Sequence, residues 1–386
     1  MRKFILVVWM AALMVSSGRT QTTLNPDISL VGDFRGYTHT DTSRLDEKEK
    51  LNLSDPSLEL VAGGYLNPYA RADVVIAWHG EHSAEIEEAY ASIVRGLPLG
   101  MNLRVGQYYL EFGRLNPVHE HAWSFIQRPL PHAAFFGEEG LRDVALRTSF
   151  LLPTGGAYSE VMVGLLQGEA LIGHHHDEAE EEHEHLEPDR WNPGAFGRMA
   201  TSFAVSDHAE LALGSSILNA PYGVAEHHHD EEQEEVEAEE TLRQLRAWVG
   251  GVDLKYKYRP SRYTSLQIEA ESMLRSEEQV EGDVLTSYGG YGYVDYRFRQ
   301  KYNLGGIFEY VSRESPIENE GGAEHEHGTV TADTWRAGLF VGFAPIEETS
   351  LVRLAGHWTE PDNADGFWEM TLQFVFSLGP HQPHNF

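Results

Sequence analysis

"GFWEMTLQFVFSL", residues 366–378, has a period of two. Trp368, Met370, Leu372, Phe374, Phe376 and Leu378 fall on one face. Glu369, Thr371, Gln373, Val375 and Ser377 fall on the other. Successive side chains of an extended chain point to opposite sides, so this pattern is a β-strand with one wholly apolar face. A strand of about ten residues with such a face has the length and chemistry of a bilayer crossing.

The alternation recurs through the chain. Val144, Leu146, Phe150 and Leu152 oppose Asp143, Ala145, Arg147 and Ser149. Leu211, Leu213 and Ile217 oppose Glu210, Ala212, Gly214 and Ser216, and Trp335, Leu339, Val341 and Phe343 oppose Arg336 and Gly338. A soluble sandwich would also alternate, but with shorter strands. Long strands with charges repeated on one face instead suit a lipid-facing exterior around a wet interior. Sixteen strands are predicted: 28–37, 57–66, 69–79, 84–94, 100–112, 141–152, 158–168, 196–205, 209–219, 244–258, 263–274, 287–299, 302–312, 332–343, 350–359 and 367–378. Short connections such as "LNPY" (66–69) and "SDH" (206–208) alternate with long ones such as 113–140, 169–195, 220–243 and 313–331. The expected fold class is therefore all-β, a transmembrane antiparallel β-barrel of sixteen strands, with long extracellular loops and short periplasmic turns.

The rest of the composition agrees. The start, "MRKFILVVWMAALMVSSGRT", has Arg2 and Lys3 before twelve apolar residues, Phe4–Val15, and then small residues. This reads as a signal peptide over 1–20, leaving 21–386 as the barrel. The 386 residues include no cysteine, which excludes disulfides and thiolate metal sites. Of the net charge of −31, residues 174–189 and 225–240 supply 17, with no Lys or Arg among them. There is no basic stripe, so nucleic acid is not an expected partner.

The leader, the rhythm of loops, the strand count and the terminal Phe386 resemble Gram-negative porin-type β-barrels. In that family a terminal aromatic assists insertion; here "GPHQPHNF" separates Phe386 from the last strand. The resemblance implies that the third outward loop, 113–140, folds inward and narrows the pore. Its sequence, "GRLNPVHEHAWSFIQRPLPHAAFFGEEG", is aromatic-rich, as a packed inward loop would be. His119, Glu120, His121, Arg128 and His132 are the candidate constriction, with Trp123, Phe125, Phe135 and Phe136 expected to pack the loop on the wall. The resemblance also implies a homotrimer, with outer-membrane lipid and lipopolysaccharide as surroundings.

The histidines point to a cargo. "GHHHDEAEEEHEHLEPD" (173–189), "AEHHHDEEQEEVEAEE" (225–240) and "AEHEHG" (323–328) all fall on long connections, and "WHGEH" (78–82) lies in the tight second outward loop. Neutral imidazole is the commonest metal ligand, and i, i+2 histidines of an extended chain point to one side. The candidate ligands are His174, His175, His176, Asp177, His183, His185, His227, His228, His229, Asp230, His325 and His327. Acidic tracts alone are usually solvated surface, but these three hold ten of the twenty histidines. The expected ion is Zn2+, with Cu2+ or Ni2+ as alternatives for such donors. Flexible loops carry an ordering cost, so binding is expected to be weak and exchangeable. Such loops also resemble those of zinc-uptake proteins and of porin-like barrels associated with zinc entry, which implies a periplasmic metal-binding protein as partner.

The expected function is thus a passive metal channel and not an enzyme. Two alternatives stay open. Arg71, Arg147, Lys255, Lys257, Arg297, Arg299, Arg336 and Arg353 are read as inward, as an anion, phosphate or general diffusion porin would need. Asp73, Asp143, Glu210, Asp253, Glu269, Glu271, Asp295 and Glu369 offset them on the same walls. A non-conducting surface metal-binding protein or adhesin is the other alternative.

Overall fold

A computed structural model describes residues 26–80, 83–171, 192–225, 243–279, 283–316, 329–346 and 349–379. The leader, Phe386 and every candidate ligand of the three histidine tracts lie outside these residues. Among the described residues sixteen strands form the wall. They are β1 (Asp27–His39), β2 (Ser57–Asn67), β3 (Ala70–His79), β4 (Glu85–Ile93), β5 (Asn102–Tyr109), β6 (Arg142–Leu152), β7 (Tyr158–Leu166) and β8 (Gly194–Ser206). The second half comprises β9 (Ala209–Ala225), β10 (Arg243–Ser261), β11 (Thr264–Glu278), β12 (Val284–Phe298), β13 (Tyr302–Pro316), β14 (Thr329–Ile346), β15 (Ser350–Pro361) and β16 (Phe367–Leu378). A two-residue strand, Asn52–Leu53, adds to β1 within the first long connection.

Each strand pairs antiparallel with its chain neighbour. The sheet closes where β1 meets β16, from Leu30 opposite Leu378 to His39 opposite Glu369. Closure leaves no row of unpaired backbone groups, which is what lets strands cross hydrocarbon. The seam is also tied on the inside: Gln373 Nε2 donates to Asp33 Oδ2 at 2.8 Å, and Arg353 Nη1 donates to Gln373 Oε1 at 3.0 Å.

The wall is inverted relative to a soluble protein. On β16, Leu372 is 52% exposed while its neighbour Gln373 is 0% exposed. Phe308, Leu339, Val252 and Trp248 likewise face outward, whereas Asp143, Arg147, Arg198, Asp253, Glu271, Asp295, Glu309 and Arg353 are buried inside. Aromatic rings line the short-turn end, where Tyr296, Phe298, Tyr302 and Phe343 stack in series at 5.1–6.0 Å. A second set, including Phe308 against Trp335, lies toward the other end. Two aromatic girdles around an apolar band are the signature of a transmembrane barrel. Leu372→Arg, at mid-strand on the lipid side, should cost about 2–4 kcal/mol. Denaturant unfolding from lipid vesicles measures this, and an unchanged midpoint would contradict the outward assignment.

Two local expectations need correction. β5 ends at Tyr109, not at 112, because the chain turns away from the sheet at Leu110. Arg299 is not on the inner wall: β12 ends at Phe298, and Arg299 sits exposed in the following turn at φ +54°.

Candidate functional site at the third outward connection

Residues 110–141 leave the wall and pack against its inner face. Asn116 clasps the two ends of the segment together. Its Nδ2 donates to the carbonyls of Leu110 (2.7 Å) and Leu141 (2.9 Å), and its Oδ1 accepts from Leu141 N at 2.9 Å. Gly113 follows at φ +62°, left-handed backbone that favours glycine, and a Cβ there would lie 2.4 Å from Glu271 Oε2. That close approach lets Glu271 of β11 accept from the Arg114 and Leu115 amides at 2.5 and 2.9 Å.

Further anchors come from around the wall. Arg114 Nε pairs with Asp253 Oδ1 of β10 at 2.8 Å. Ser124 Oγ donates to Asp295 of β12 at 2.9 Å, and Leu130 N to Glu309 of β13 at 2.8 Å. Arg336 of β14 donates to Arg128 O at 2.6 Å, and Arg353 of β15 reaches the carbonyls of Phe125 and His121 at 3.2 and 3.3 Å. Gln127 hydrogen-bonds Glu369 of β16. A segment tied to so many strands lies across the interior. It carries a core of its own: Leu115, Trp123, Phe125 and Ile126 pack on Tyr291, Tyr293, Ile307 and Phe340 of the inner wall. Phe135 and Phe136, on the short helix α1 (Leu130–Phe136), join Phe112 and Leu141 in a second cluster.

The five candidate constriction residues divide among different partners. His132, on α1, is fully buried with Nε2 3.0 Å from Glu271 Oε2, between the rings of Phe136 and Tyr291. Glu120 sits between two guanidinium groups, Arg35 at 3.0 Å and Arg128 at 2.9 Å, and Arg128 also covers the ring of Trp123. His119 and His121 stack at 5.8 Å and face a patch of carboxylates. His119 Nδ1 lies 3.3 Å from Glu59 Oε2 and 3.5 Å from Glu87 Oε2, while its Nε2 lies 3.3 Å from Glu88 Oε2. His121 Nδ1 lies 3.2 Å from Glu59 Oε1. His79, from "WHGEH", has Nε2 3.7 Å from Glu87 Oε1. His119 is on the connection rather than on a spanning strand. Burial opposes charge on its ring, but Glu59, Glu88 and Glu87 outweigh burial and push its pKa up to about 10.

Glu59, Glu87 and Glu88 were not among the sequence candidates. Strict alternation would put Glu87 and Glu88 on opposite faces of β4. The register between β3 and β4 instead slips, Val75 facing Glu88 and Ile76 facing Ile86, so Glu87 is the extra residue of a β-bulge. The bulge re-aims one side chain, and both carboxylates meet His119. The only trace in the sequence is the pair of adjacent acids in "EIEEAY" (85–90).

Most of the basic wall is neutralised by near neighbours. Arg71 pairs with Asp73, Arg147 with Glu111, Arg198 with Asp253, Lys255 with Glu269, Arg297 with Asp295, and Arg336 with Glu309.

No model of a known protein family matches the chain. It is 27% identical over 399 residues to an uncharacterized protein of Aquifex aeolicus (strain VF5), covering 95% of this chain and 81% of that one. Among solved structures it is similar to an anion-selective porin from Comamonas acidovorans (TM-score 0.57, 9% identity, 92% of this chain and 100% of that one). It is similar to the outer-membrane channel DcaP of Acinetobacter baumannii (TM-score 0.53, 11% identity, 93% and 99%). A trimer form of OmpT, an outer-membrane protein of Vibrio cholerae, matches at TM-score 0.54 and 9% identity, over 92% of this chain and 100% of that one. At such identities the likeness is one of fold, and the fold of this chain is the closed sixteen-stranded β-barrel of bacterial outer-membrane porins and channels.

Proposed function

We propose that this chain is a passive outer-membrane channel for divalent metal ions, zinc first among them, whose His- and acid-rich long loops collect the ion at the cell surface. The observation that carries this reading is the patch of Glu59, Glu87, Glu88, His119 and His121 on the inner wall, held by the third connection. β2 and β4 begin at the rim of the long connections, and these carboxylates fall within the first four residues of their strands. An ion gathered on that rim would meet oxygen and nitrogen donors on entry. Pairing of the interior arginines weighs against an anion path. The anion-selective porin among the similar structures keeps an anion or general porin as the second reading. The fold also supports a homotrimer, in keeping with the trimer form of a similar barrel.

The test is electrical and chemical. Full-length protein in planar bilayers is expected to give single-channel steps, with a reversal potential in a KCl gradient showing preference for cations. Absence of steps would leave a surface metal buffer or adhesin, and anion preference would leave the second reading. A variant lacking 174–185 and 227–230 should fold normally, bind less zinc and slow growth under zinc limitation. Unchanged zinc uptake would reduce those loops to solubilising surface.

A further inference from the structure

We propose that Glu59, Glu87 and His119 form a discrete coordination site for one divalent cation inside the barrel, with Glu88 orienting the histidine. The inference deepens the channel reading by giving the ion a fixed station on the wall, apart from the surface loops. One ligand atom from each of the three residues lies within 4.8 Å of the other two. Metal–ligand bonds of about 2.0–2.2 Å bring ligand atoms to roughly 3.3 Å from one another, so side-chain rotation alone would close the set.

Two buried carboxylate oxygens beside His119 point to a cation as their partner. Glu59 Oε2 and Glu87 Oε2 are both buried, and among the described residues neither has a hydrogen-bond partner; Glu87 as a whole is only 7% exposed. Both oxygens face His119 Nδ1, at 3.3 and 3.5 Å. An imidazole nitrogen carries at most one proton, so it cannot serve two carboxylate oxygens with good geometry. Buried acceptors left in this way are costly, and a cation with several coordination positions satisfies both at once. The ring proton on Nδ1 leaves to solvent when the metal takes its place.

The surroundings are those of a metal site. His119 Nε2 lies 3.3 Å from Glu88 Oε2, the carboxylate–histidine–metal arrangement that fixes the tautomer and leaves Nδ1 for the ion. Tyr109 Oη donates to Glu87 Oε1 at 3.3 Å, and the Tyr109 ring meets His119 edge-on at 5.3 Å. His121 Nδ1 holds the other Glu59 oxygen at 3.2 Å. Two carboxylates and one imidazole suit Zn2+, Mn2+ or Fe2+ and not a soft monovalent ion. Three protein ligands leave positions for water, so the ion can exchange.

The decisive experiment uses full-length protein in detergent with the ten tract histidines changed to asparagine. Titration with ZnCl2 by calorimetry should give one saturable site per chain, and Co2+ should give visible absorption bands of a His–carboxylate site. Glu87→Gln and His119→Gln should each weaken zinc about tenfold or more, while Glu210→Gln, an exposed acid on β9, should leave it unchanged. A missing site, equal affinity in Glu87→Gln, or equal loss in Glu210→Gln would overturn the inference. If the lumen variants fail to fold, the melting temperature of the parent decides: a rise with zinc supports the site, and no rise overturns it. Single-channel recording of the same metal-free preparation separates the two readings. Steps without a zinc site leave the channel and remove the station; a zinc site without steps does the reverse.

Discussion

Glu271→Ala is expected to release the third connection from the wall while leaving the barrel closed. Glu271 is 4% exposed and accepts from the Arg114 and Leu115 amides, and its second oxygen faces His132 Nε2 at 3.0 Å. Its loss strands the Leu115 amide, the partly buried Arg114 amide and one buried imidazole, at about 1–3 kcal/mol for each group left unsatisfied. The sixteen strands do not depend on that residue for their ladder, so the loss should appear as local opening and not as global unfolding. Limited proteolysis should cut within residues 110–141, and single-channel conductance should rise several-fold with added noise. Glu271→Gln keeps a carbonyl acceptor for the amides and should be milder on both readouts. A protease-resistant Glu271→Ala variant with unchanged conductance would show that the connection is held by its apolar packing alone.

The second large effect tests that packing. Phe125 is 1% exposed and meets Tyr293 at 5.1 Å and Trp123 at 5.6 Å. Phe125→Ala should cost about 3–5 kcal/mol, as for large-to-small changes in tight cores. Phe374, by contrast, faces outward and is 44% exposed. In lipid a smaller apolar side chain there loses little packing against protein, so Phe374→Ala should shift the unfolding midpoint far less. Denaturant unfolding of both variants in vesicles measures the contrast, and equal shifts would overturn the assignment of Phe125 to an interior core. The contrast exists because the barrel has two apolar environments. One is lipid outside the wall, and the other is a small core between the wall and the segment lying across it.

Much of the wall was legible because alternation is a local property. Trp368 to Leu378 reads as a lipid-facing row without knowledge of any other strand, and β2, β3 and β16 begin and end within a residue of expectation. Misses came where the backbone answered to tertiary partners. β5 stops early because Asn116 and Leu141 draw residues 110–112 off the sheet. β9 runs to Ala225 rather than 219, since ladder pairing with β10 continues past the apolar band, through a register shift at Pro221. Arg299 kept the parity of an inward residue but fell beyond the strand end.

The third connection divides in the same way. Its aromatic content marked it as a packed segment, and His119 and His121 stood out by type. Which residues they would meet was beyond local pattern. His132 meets Glu271 and Glu120 meets Arg35, both far along the chain. The clearest case is the pair Glu87 and Glu88. Period-two alternation places them on opposite faces, and a one-residue bulge against Val75 and Ile76 turns both toward His119.

The sequence by itself determined the strand count, the inverted faces and the inward placement of most wall charges, since each follows from side-chain alternation within a single strand. The tertiary structure alone decided the bulge in β4, the seat of the third connection and the meeting of Glu59, Glu87 and His119. Those depend on strand register and on contacts between distant residues, which are set by closing the whole barrel and not by the local sequence of any one strand.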